Sequence, residues 1–441
     1  MKKILIANRG EIARRILQTC DKLEMESVVV YSEADKELPY VEEATAAYLI
    51  GEPPAAKSYL NQDKILEVAK KENADAIHPG YGFLSENAGF VRAVEEAGLT
   101  FIGPGADVVE AMGDKVRARQ TMQAAGVPVV PGSEGAVGDV DEAAEIAADI
   151  GYPVMLKASA GGGGIGMQRC GSEEEVRKAF ASNQKRAKTY FGNADMFIEK
   201  CVDNGRHIEV QVFGDSQRNA VHLFERDCSI QRRNQKVIEE TPSPFLSEVA
   251  KEKMFDAAVQ AVKHVGYRNA GTIEFIVDED ENFYFLEMNT RLQVEHPITE
   301  LTTDLDLVEW QIKVADGQQL PLKQEEIRRS GHAMEFRLYA EDPEKFLPSP
   351  GTIEEFTYPN LDGIRVDTGV QSGTSVTPYY DPMIAKVIVS GSERSDTIER
   401  AKRFFDGLTL TGIKNNAPLF KKILRDENFA AGQYTTKFLQ R

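Results

Sequence analysis

The first hundred residues alternate short apolar segments with amphipathic ones, and this alternation constrains the fold more than any other feature of the sequence. The apolar segments are KILIAN (3–8), ESVVVYS (26–32), DAIHPG (75–80) and LTFIGPG (99–105). Helical periodicity runs between them, through residues 11–19, 61–74 and 87–98. Short strands that alternate with helices are typical of a doubly wound parallel sheet, so we expect an α/β domain at the start of the chain.

The rest of the chain divides into further parts. A helical pattern over 109–126 leads into VPVVPG (127–132), whose prolines and glycine mark the crossing into a small α/β unit at 141–213. From about 207 to 300 the strands carry polar residues and look like hairpins. The later segments read as a helix end and connector at 315–331, strands with turns from 332, and closing helices around 394–407 and 416–425.

The composition excludes several classes of function. Lys and Arg number 52 against 70 Asp and Glu in 441 residues, so the formal net charge is −18. This acidity argues against nucleic-acid or anionic-membrane partners, although a local basic pocket for phosphates is still compatible with it. Without an apolar run of about 18 residues or C-x-x-C spacing among the four cysteines, we expect a reduced, cytoplasmic protein with no membrane span.

The glycine run in PVMLKASAGGGGIGMQ (153–168) has the G-x-G-x-x-G spacing of a dinucleotide-binding turn at Gly161, Gly163 and Gly166. Such a turn must open a helix directly, so that the helix N-terminus receives the pyrophosphate. Here the strand-like MQRC follows instead, and an S-x-x-E capping box predicts that the next helix begins only at Ser172. The pattern strand, glycine loop, strand predicts a β-hairpin.

A glycine-tipped hairpin can bring backbone N–H groups close to a triphosphate because no side chains intervene. Lys157, on the strand before the run, can add a point charge to a phosphate. The run alone leaves a second interpretation open, which is a flexible surface hairpin with a solvated lysine.

A second hairpin is predicted around the acidic turn DEDEN, with strand-like runs at 272–277 and 283–289. If this hairpin is symmetric, Glu274 lies opposite Glu287, and Asn289 shares their face. Carboxylates that face each other without a cation are destabilising, and two carboxylates with an amide oxygen suit Mg²⁺. A shifted register, with the glutamates in solvent, is the alternative.

Six segments together resemble biotin carboxylase, in the same order along the chain. They are HPGYGFLSEN (78–87), KASAGGGGIGM (157–167), RHIEVQV (206–212), RDCSIQRRNQKVIEE (226–240), EMNTRLQVEHPITE (287–300) and PYYDPMIAK (378–386). EMNTRLQVEH is the most specific, because other ATP-grasp enzymes share its Glu-x-Asn element and diverge after it. The chain is identified as a member of this family from residue 1 to about 440.

The resemblance implies an ATP-grasp fold of the α/β class, α+β in its C-terminal part. It divides the chain into an N-terminal doubly wound domain at 1–113, an ATP-grasp domain at 114–314 with a mobile glycine-rich lid at about 131–203, a connector at 315–331, and a β-rich C-terminal domain at 332–441.

Members of this family use MgATP and bicarbonate to carboxylate biotin on a carrier protein, the first half-reaction of an acyl-CoA carboxylase. Acetyl-CoA carboxylase is the default expectation, with methylcrotonyl-CoA and propionyl-CoA carboxylases as alternatives. Because the chain has no Met-Lys-Met biotin-attachment sequence, the biotin carboxyl carrier protein and the carboxyltransferase are expected on separate chains. A homodimer is expected by analogy.

Carried over by position, the resemblance also implies site residues. Those for ATP are Lys115, Lys157, Gly163, Gly164, Glu199, Lys200, Cys201, Val202, His207, Gln231, Asn234, Glu274 and Glu287. Those for Mg²⁺ or Mn²⁺ are Glu274, Glu287 and Asn289. Those for bicarbonate and biotin are Lys236, Arg291, Gln293, Val294, Arg337 and Tyr81. The catalytic residues are Arg291, Glu295, Lys236 and Arg337.

The residue types fit the chemistry that the resemblance implies. Glu295 would deprotonate bicarbonate while Lys236 and Arg291 hold the resulting anion. Arg337 would stabilise the biotin enolate. Without the resemblance, the sequence around His207 also fits a hydrogen-bonded core histidine, and the sequence around Arg337 also fits a residue on the polar face of a strand.

Three positions depart from the family pattern. Ile165 and Gln168 stand where basic residues are common, and Asn234 replaces a histidine, so we expect altered binding on the lid and ribose side of the nucleotide. Rival hypotheses are a different ATP-grasp acyl-phosphate ligase, a non-catalytic paralogue and an NAD-dependent enzyme. The intact reacting positions and the continuation after Glu-x-Asn favour an active biotin carboxylase.

Overall fold

The computed structural model of the protein describes residues 1–158 and 166–440. Its N-terminal part contains a parallel sheet in the order β3-β2-β1-β4-β5. The strands are β1 (Lys3–Ile6), β2 (Glu26–Ser32), β3 (Ala46–Gly51), β4 (Ala76–His78) and β5 (Thr100–Phe101). The helices are α1 (Gly10–Lys22), α2 (Pro39–Glu43), α3 (Gln62–Lys71), α4 (Ala88–Glu96) and α5 (Ala106–Gly113). The predicted doubly wound sheet is confirmed.

Two elements of this region differ from the predicted pattern. The edge strand β3 was missed although it begins with the apolar run AAYLI (46–50), and most of its residues are half-buried. The helical pattern over 109–126 is two helices, α5 and α6 (Lys115–Ala124). They separate at Asp114, whose carboxylate accepts hydrogen bonds from the backbone N–H groups of Val116 and Arg117, both at 3.0 Å. An aspartate N-cap therefore starts a new helix inside an otherwise helical pattern.

The next part is a small α/β unit with an antiparallel sheet in the order β7-β6-β8. Its elements are α7 (Val140–Ile150), β6 (Val154–Ala158), β7 (Met167–Cys170), α8 (Glu173–Phe191) and β8 (Met196–Lys200). The strands that flank the glycine run therefore pair as predicted. Gly161, Gly163, Gly164 and Ile165 lie outside the described residues.

The start of α8 confirms the predicted boundary but only half of the capping box. The Ser172 hydroxyl accepts a hydrogen bond from the Glu175 N–H at 3.4 Å. The Glu175 carboxylate accepts from the N–H of Gly171 at 2.7 Å, one residue before the position that a complete capping box uses. The helix still begins after β7, so the glycine run does not lead into it.

An eight-stranded antiparallel sheet, in the order β13-β12-β9-β10-β11-β14-β19-β17, dominates the remainder. Its first five strands in the chain are β9 (Arg206–Gly214), β10 (Ala220–Arg232), β11 (Gln235–Thr241), β12 (Asn269–Val277) and β13 (Phe283–Asn289). The helices beside them are α9 (Glu248–Val265), α10 (His296–Thr303) and α11 (Leu307–Ala315). The hairpin-like strands predicted from about 207 to 300 are present, but the helix α9 among them was missed; it begins at the Ser247 N-cap and packs Met254 and Phe255 into the core.

The sheet continues beyond the predicted connector at 315–331. It gains β14 (His332–Tyr339), β17 (Ile364–Thr368) and β19 (Met383–Gly391). Two separate two-stranded sheets pair β15 (Gly351–Thr352) with β18 (Ser375–Val376) and β16 (Glu355–Thr357) with β20 (Thr409–Thr411). The helices are α12 (Arg394–Gly407), α13 (Ala417–Ile423) and α14 (Glu427–Ala430), the first two close to their predicted positions. None of the helices in the described ranges has the length and apolar character needed to cross a bilayer.

A half-buried histidine predicts how stability depends on pH. The His222 ring stacks on Phe255 with centroids 4.2 Å apart, and burial lowers the pKa of His222 to about 4. Between about pH 6.5 and pH 4 the unfolded chain therefore binds the proton more readily, so stability falls as pH falls through this window. We expect His222→Phe to flatten the dependence of the thermal midpoint on pH between 7 and 4. His264→Phe, at an exposed position, is the control and should leave that slope unchanged.

Candidate active site

A cleft of about 1100 Å³ gathers residues from the N-terminal sheet, the small α/β unit and the eight-stranded sheet. The predicted site residues that line it are Tyr81, Lys115, Lys157, Glu199, Lys200, Cys201, Val202, His207, Gln231, Asn234, Lys236, Glu274, Glu287, Asn289, Arg291, Gln293, Val294 and Arg337. Gly163 and Gly164 lie outside the described residues. Glu295 does not line the cleft; it is fully buried behind it.

The acidic hairpin has the predicted register at the site. Glu274 on β12 pairs with Glu287 on β13, and the Asn289 Nδ2 donates to Glu274 Oε1 at 2.9 Å. A bulge follows Glu274, so that Phe275 pairs with Phe285. The bulge shifts the outer part of the hairpin by one residue and leaves the carboxylates and the amide together.

The Glu274 carboxylate is held by several N–H donors. It accepts from Lys236 Nζ at 2.7 Å and from Gln293 Nε2 at 3.0 Å, and it pairs with His207 Nε2 at 2.9 Å. Burial opposes ionisation, but the charges of Lys236 and His207 hold the pKa of Glu274 well below its usual range. Its charge in turn raises the pKa of His207 against the effect of burial. Glu274 is therefore ionised at neutral pH, and it lines the cleft.

Glu287 supplies the second carboxylate of the predicted metal site. Its side chain is exposed to the cleft. Partial loss of water contacts inside the cleft, and then the negative charge of Glu274, raise the pKa of Glu287. The Asn289 Oδ1 accepts from Arg291 Nη2 at 2.9 Å. Mg²⁺ prefers hard oxygen ligands, and the site offers two facing carboxylates and an amide oxygen. A divalent cation bound there would also reduce the repulsion between the two carboxylates, so these residues fit Mg²⁺.

Lys236 connects the acidic hairpin to the buried Glu295. Its Nζ donates to Glu209 Oε2 at 2.6 Å and to Glu274 and Glu295, both at 2.7 Å. Burial lowers the pKa of Lys236, but the three carboxylates raise it well above the usual value. Glu209 was not predicted, although it lies inside the RHIEVQV segment. Three carboxylates around one ammonium keep that ammonium charged and directed into the cleft.

Glu295 is the N-cap residue of α10 and is 0% exposed. Besides Lys236, it accepts from Arg337 Nη2 at 2.9 Å, and Arg337 Nε donates to Glu239 Oε1 at 2.6 Å. Burial opposes ionisation of Glu295, but Lys236 and Arg337 hold its pKa well below the usual range. In this arrangement Glu295 is held in its ionised form and is a weak base.

Arg291 is fixed by residues from two parts of the chain. Its Nε donates to Glu86 Oε2 at 2.8 Å, and its Nη1 donates to Gln293 Oε1 at 2.8 Å. Glu86 belongs to the loop before α4 and was not predicted, although it lies within HPGYGFLSEN. The Val294 carbonyl accepts from Lys386 Nζ at 3.0 Å, which holds the segment after Arg291.

The other end of the cleft carries the predicted nucleotide residues. The Lys157 ammonium pairs with the Glu199 carboxylate, and Lys200 Nζ donates to the carbonyls of Gly151 and Tyr152 at 2.7 and 3.0 Å. These bonds connect β6 and β8, where Cys201 and Val202 follow. Gln231 and Asn234 come from the tight β10–β11 hairpin, and Gln231 Nε2 is 2.8 Å from His207 Nδ1.

The PYYDPM segment closes the cleft against the N-terminal sheet. The Tyr380 hydroxyl donates to Ser32 Oγ at 2.6 Å, and the Arg9 guanidinium lies 4.2 Å from the Tyr380 ring centroid. Arg9 also donates to Asp35 Oδ1 at 2.7 Å. Tyr81 lies on the same side, with its ring 5.9 Å from Lys386 Nζ. Arg9 and Tyr380 line the cleft, but sequence reasoning did not assign them because their contacts span distant parts of the chain.

Three family models match the chain in succession. They are Biotin carboxylase, N-terminal domain at 1–109; Carbamoyl-phosphate synthase L chain, ATP binding domain at 114–323; and Biotin carboxylase C-terminal domain at 335–441. A biotin carboxylase from Halalkalibacterium halodurans is 57% identical over 99% of this chain and 97% of its own. The chain belongs to the biotin carboxylase family.

Other relatives also match almost the whole chain. A pyruvate carboxylase component from Methanothermobacter thermautotrophicus is 50% identical over 99% of this chain and 89% of its own. The biotin carboxylase domain dimer of the Hydrogenobacter thermophilus 2-oxoglutarate carboxylase, solved with MgADP, ADP and bicarbonate, is 48% identical with a TM-score of 0.96, over 100% of this chain and 97% of its own. The fold is thus ATP-grasp, and the protein is an ATP-dependent ligase.

Proposed function

We propose that this biotin carboxylase uses ATP and bicarbonate to carboxylate biotin held on a carrier protein. The observation that carries the proposal is the buried Glu295 carboxylate, whose two oxygens are held by Lys236 and Arg337 beside the Glu274–Glu287 hairpin. A buried carboxylate that can act as a base, two cations and a set of hard oxygen donors, all beside a cleft large enough for a nucleotide, support this proposal.

The nucleotide is proposed to bind between the Lys157–Glu199 pair and the acidic hairpin. Lys115 and Lys157 offer point charges to the phosphates, and residues 199–202 offer backbone groups to the base. Glu274, Glu287 and Asn289 would hold Mg²⁺, which neutralises charge on the phosphoryl oxygens when bound. The segment at about 131–203 is proposed as the lid, because its described strands β6, β7 and β8 form a sheet of their own and contribute residues to the lining of the cleft.

Bicarbonate is proposed to bind where Lys236, Arg291 and Gln293 converge. An anion there would take hydrogen bonds from Lys236 and Arg337 that Glu295 now accepts. Released from these charges, Glu295 gains basicity and removes the bicarbonate proton. The resulting oxyanion attacks the γ-phosphate of ATP, which gives carboxyphosphate and ADP.

Arg337 then faces biotin. Its guanidinium is fixed by Glu239 and Glu295, so it is preorganised to stabilise negative charge on the ureido oxygen. Tyr81, across the cleft, would position the ring. Carboxyphosphate gives CO₂ and phosphate, the phosphate takes the ureido N–H proton, and the ureido nitrogen bonds to the CO₂ carbon.

The partners are proposed from the family. A separate biotin carboxyl carrier protein would bring biotin to the cleft, a carboxyltransferase on another chain would use the product, and the chain would form a homodimer, as the Hydrogenobacter domain does. We propose acetyl-CoA as the first acceptor to test, followed by methylcrotonyl-CoA and propionyl-CoA. The names of the relatives add pyruvate and 2-oxoglutarate as further acceptors to test.

The test measures the rate of ADP release from ATP in the presence of bicarbonate and compares reactions that contain free biotin with reactions that lack it. We expect bicarbonate-dependent release that biotin stimulates, together with incorporation of labelled bicarbonate into biotin. Omitting Mg²⁺ should stop both signals. A chain that shows no bicarbonate dependence and no stimulation by biotin would contradict the proposal.

A further inference from the structure

Arg119 lies on the wall of the cleft, one helical turn after Lys115 on α6. Residues four apart in a helix share a face, and both side chains line the cleft. Arg117, between them in sequence, is exposed and does not line it. The helix therefore directs two of its three basic side chains into the nucleotide end of the cleft.

Arg119 differs from the other described arginines of the cleft in having no acidic partner. Five arginines of the described ranges line the cleft, and four of them pair with carboxylates: Arg9 with Asp35, Arg169 with Asp203, Arg291 with Glu86, and Arg337 with Glu239 and Glu295. Within residues 1–158 and 166–440, Arg119 forms neither an ion pair nor a hydrogen bond through its side chain.

An unpaired cation at a partly buried position is energetically unfavourable, because the protein replaces water without supplying a counter-charge. Arg119 is half-buried, and burial lowers its pKa. Its positive charge also acts on Lys157, whose pKa is lowered by burial, then by Lys115 and more weakly by Arg119, against the opposing charge of Glu287. Three cations on one wall, of which only Lys157 has an acidic partner among the described residues, call for an anionic ligand.

We propose that Arg119 binds the phosphates of the nucleotide, an inference that rests on the proposed function. A guanidinium can donate two parallel hydrogen bonds to phosphate oxygens, which a lysine cannot do. The neutral adenine and ribose would not supply the missing counter-charge. Bicarbonate is the weaker candidate, because its proposed residues Lys236 and Arg291 already lie at the other end of the cleft.

The test compares Arg119→Met with Arg117→Met in the full chain. Dissociation constants for ATP, ADP and adenosine are measured by calorimetry, with the thermal midpoint of each variant recorded. We expect Arg119→Met to weaken ATP and ADP binding by about tenfold, as the loss of one charged hydrogen bond implies, and to leave adenosine binding unchanged. Arg117→Met should bind all three ligands as the parent does, and Arg119→Lys should recover part of the loss.

Each contrary outcome is distinguishable. Unchanged ADP affinity in Arg119→Met would overturn the inference while leaving the proposed function intact. An equal loss of affinity for adenosine and ADP would also overturn the inference. It would show that the substitution changed the shape of the pocket and did not remove a contact with the phosphates. A parent chain that binds neither ATP nor ADP would overturn the inference and the proposed function together.

Discussion

Replacing Glu295 by glutamine is expected to lower bicarbonate-dependent ATP hydrolysis by about 10² to 10⁴-fold, the range for loss of a general base. The amide keeps the size of the side chain but cannot accept the bicarbonate proton. It also removes the charge that Lys236 and Arg337 share. The measurement is the initial rate of ADP release with saturating bicarbonate, with and without biotin.

Binding of ADP provides the internal control for this variant. Glu295 is fully buried and does not line the cleft, so the affinity for ADP should remain close to that of the parent. Retained ADP binding together with lost turnover identifies a defect in chemistry. Parental rates of ATP hydrolysis in Glu295→Gln would show that another group removes the proton, and the proposed mechanism would be wrong.

The register of the acidic hairpin could be predicted because it depends on local rules. Side chains alternate along a strand, so a turn centred on DEDEN determines which residues face each other. Glu274 and Glu287 pair accordingly. The bulge beside Glu274 could not be predicted from this alternation, because it leaves Leu286 of β13 without a partner while β12 pairs with β9 in an unbroken register.

The glycine hairpin could also be predicted where it depends on residues close together in the sequence. The Ser172 cap and the strand before it are encoded within a few residues, and these exclude a helix that opens directly from the glycines. The edge strand β3 and the helix α9 were missed although both carry local signals: β3 contains the apolar run AAYLI (46–50), and α9 buries Ala250, Met254, Ala258 and Ala261 at helical spacing. Family resemblance supplied the site residues, but not their partners.

Those partners join distant parts of the chain. Glu86 contacts Arg291 across 205 residues, and the Tyr380 hydroxyl contacts Ser32 across 348. A carboxylate such as Glu86 has no sequence signature that separates it from a solvated one. Its position beside Arg291 exists only once the N-terminal sheet packs against the ATP-binding part.

Arg226 is the residue whose loss should most reduce stability. Its guanidinium is 0% exposed and donates to Glu209 at 2.5 Å, Gln211 at 2.7 Å, Thr299 at 3.0 Å and Thr272 at 3.2 Å. It therefore connects β10 to β9, β12 and α10 beneath the site. Arg226→Met should cost about 3–5 kcal/mol, because it leaves a buried carboxylate oxygen and several acceptors without their donor.

The urea midpoint followed by circular dichroism measures this loss, with Arg403→Met at an exposed position of α12 as the matched control. The double variant Arg226→Met/Glu209→Gln should be less destabilised than the sum of its single variants, because the two residues share the broken ion pair. Lys236 still donates to Glu209 at 2.6 Å, so Glu209 retains one cation in Arg226→Met. A midpoint in Arg226→Met equal to that of Arg403→Met would show that the buried network does not stabilise the sheet.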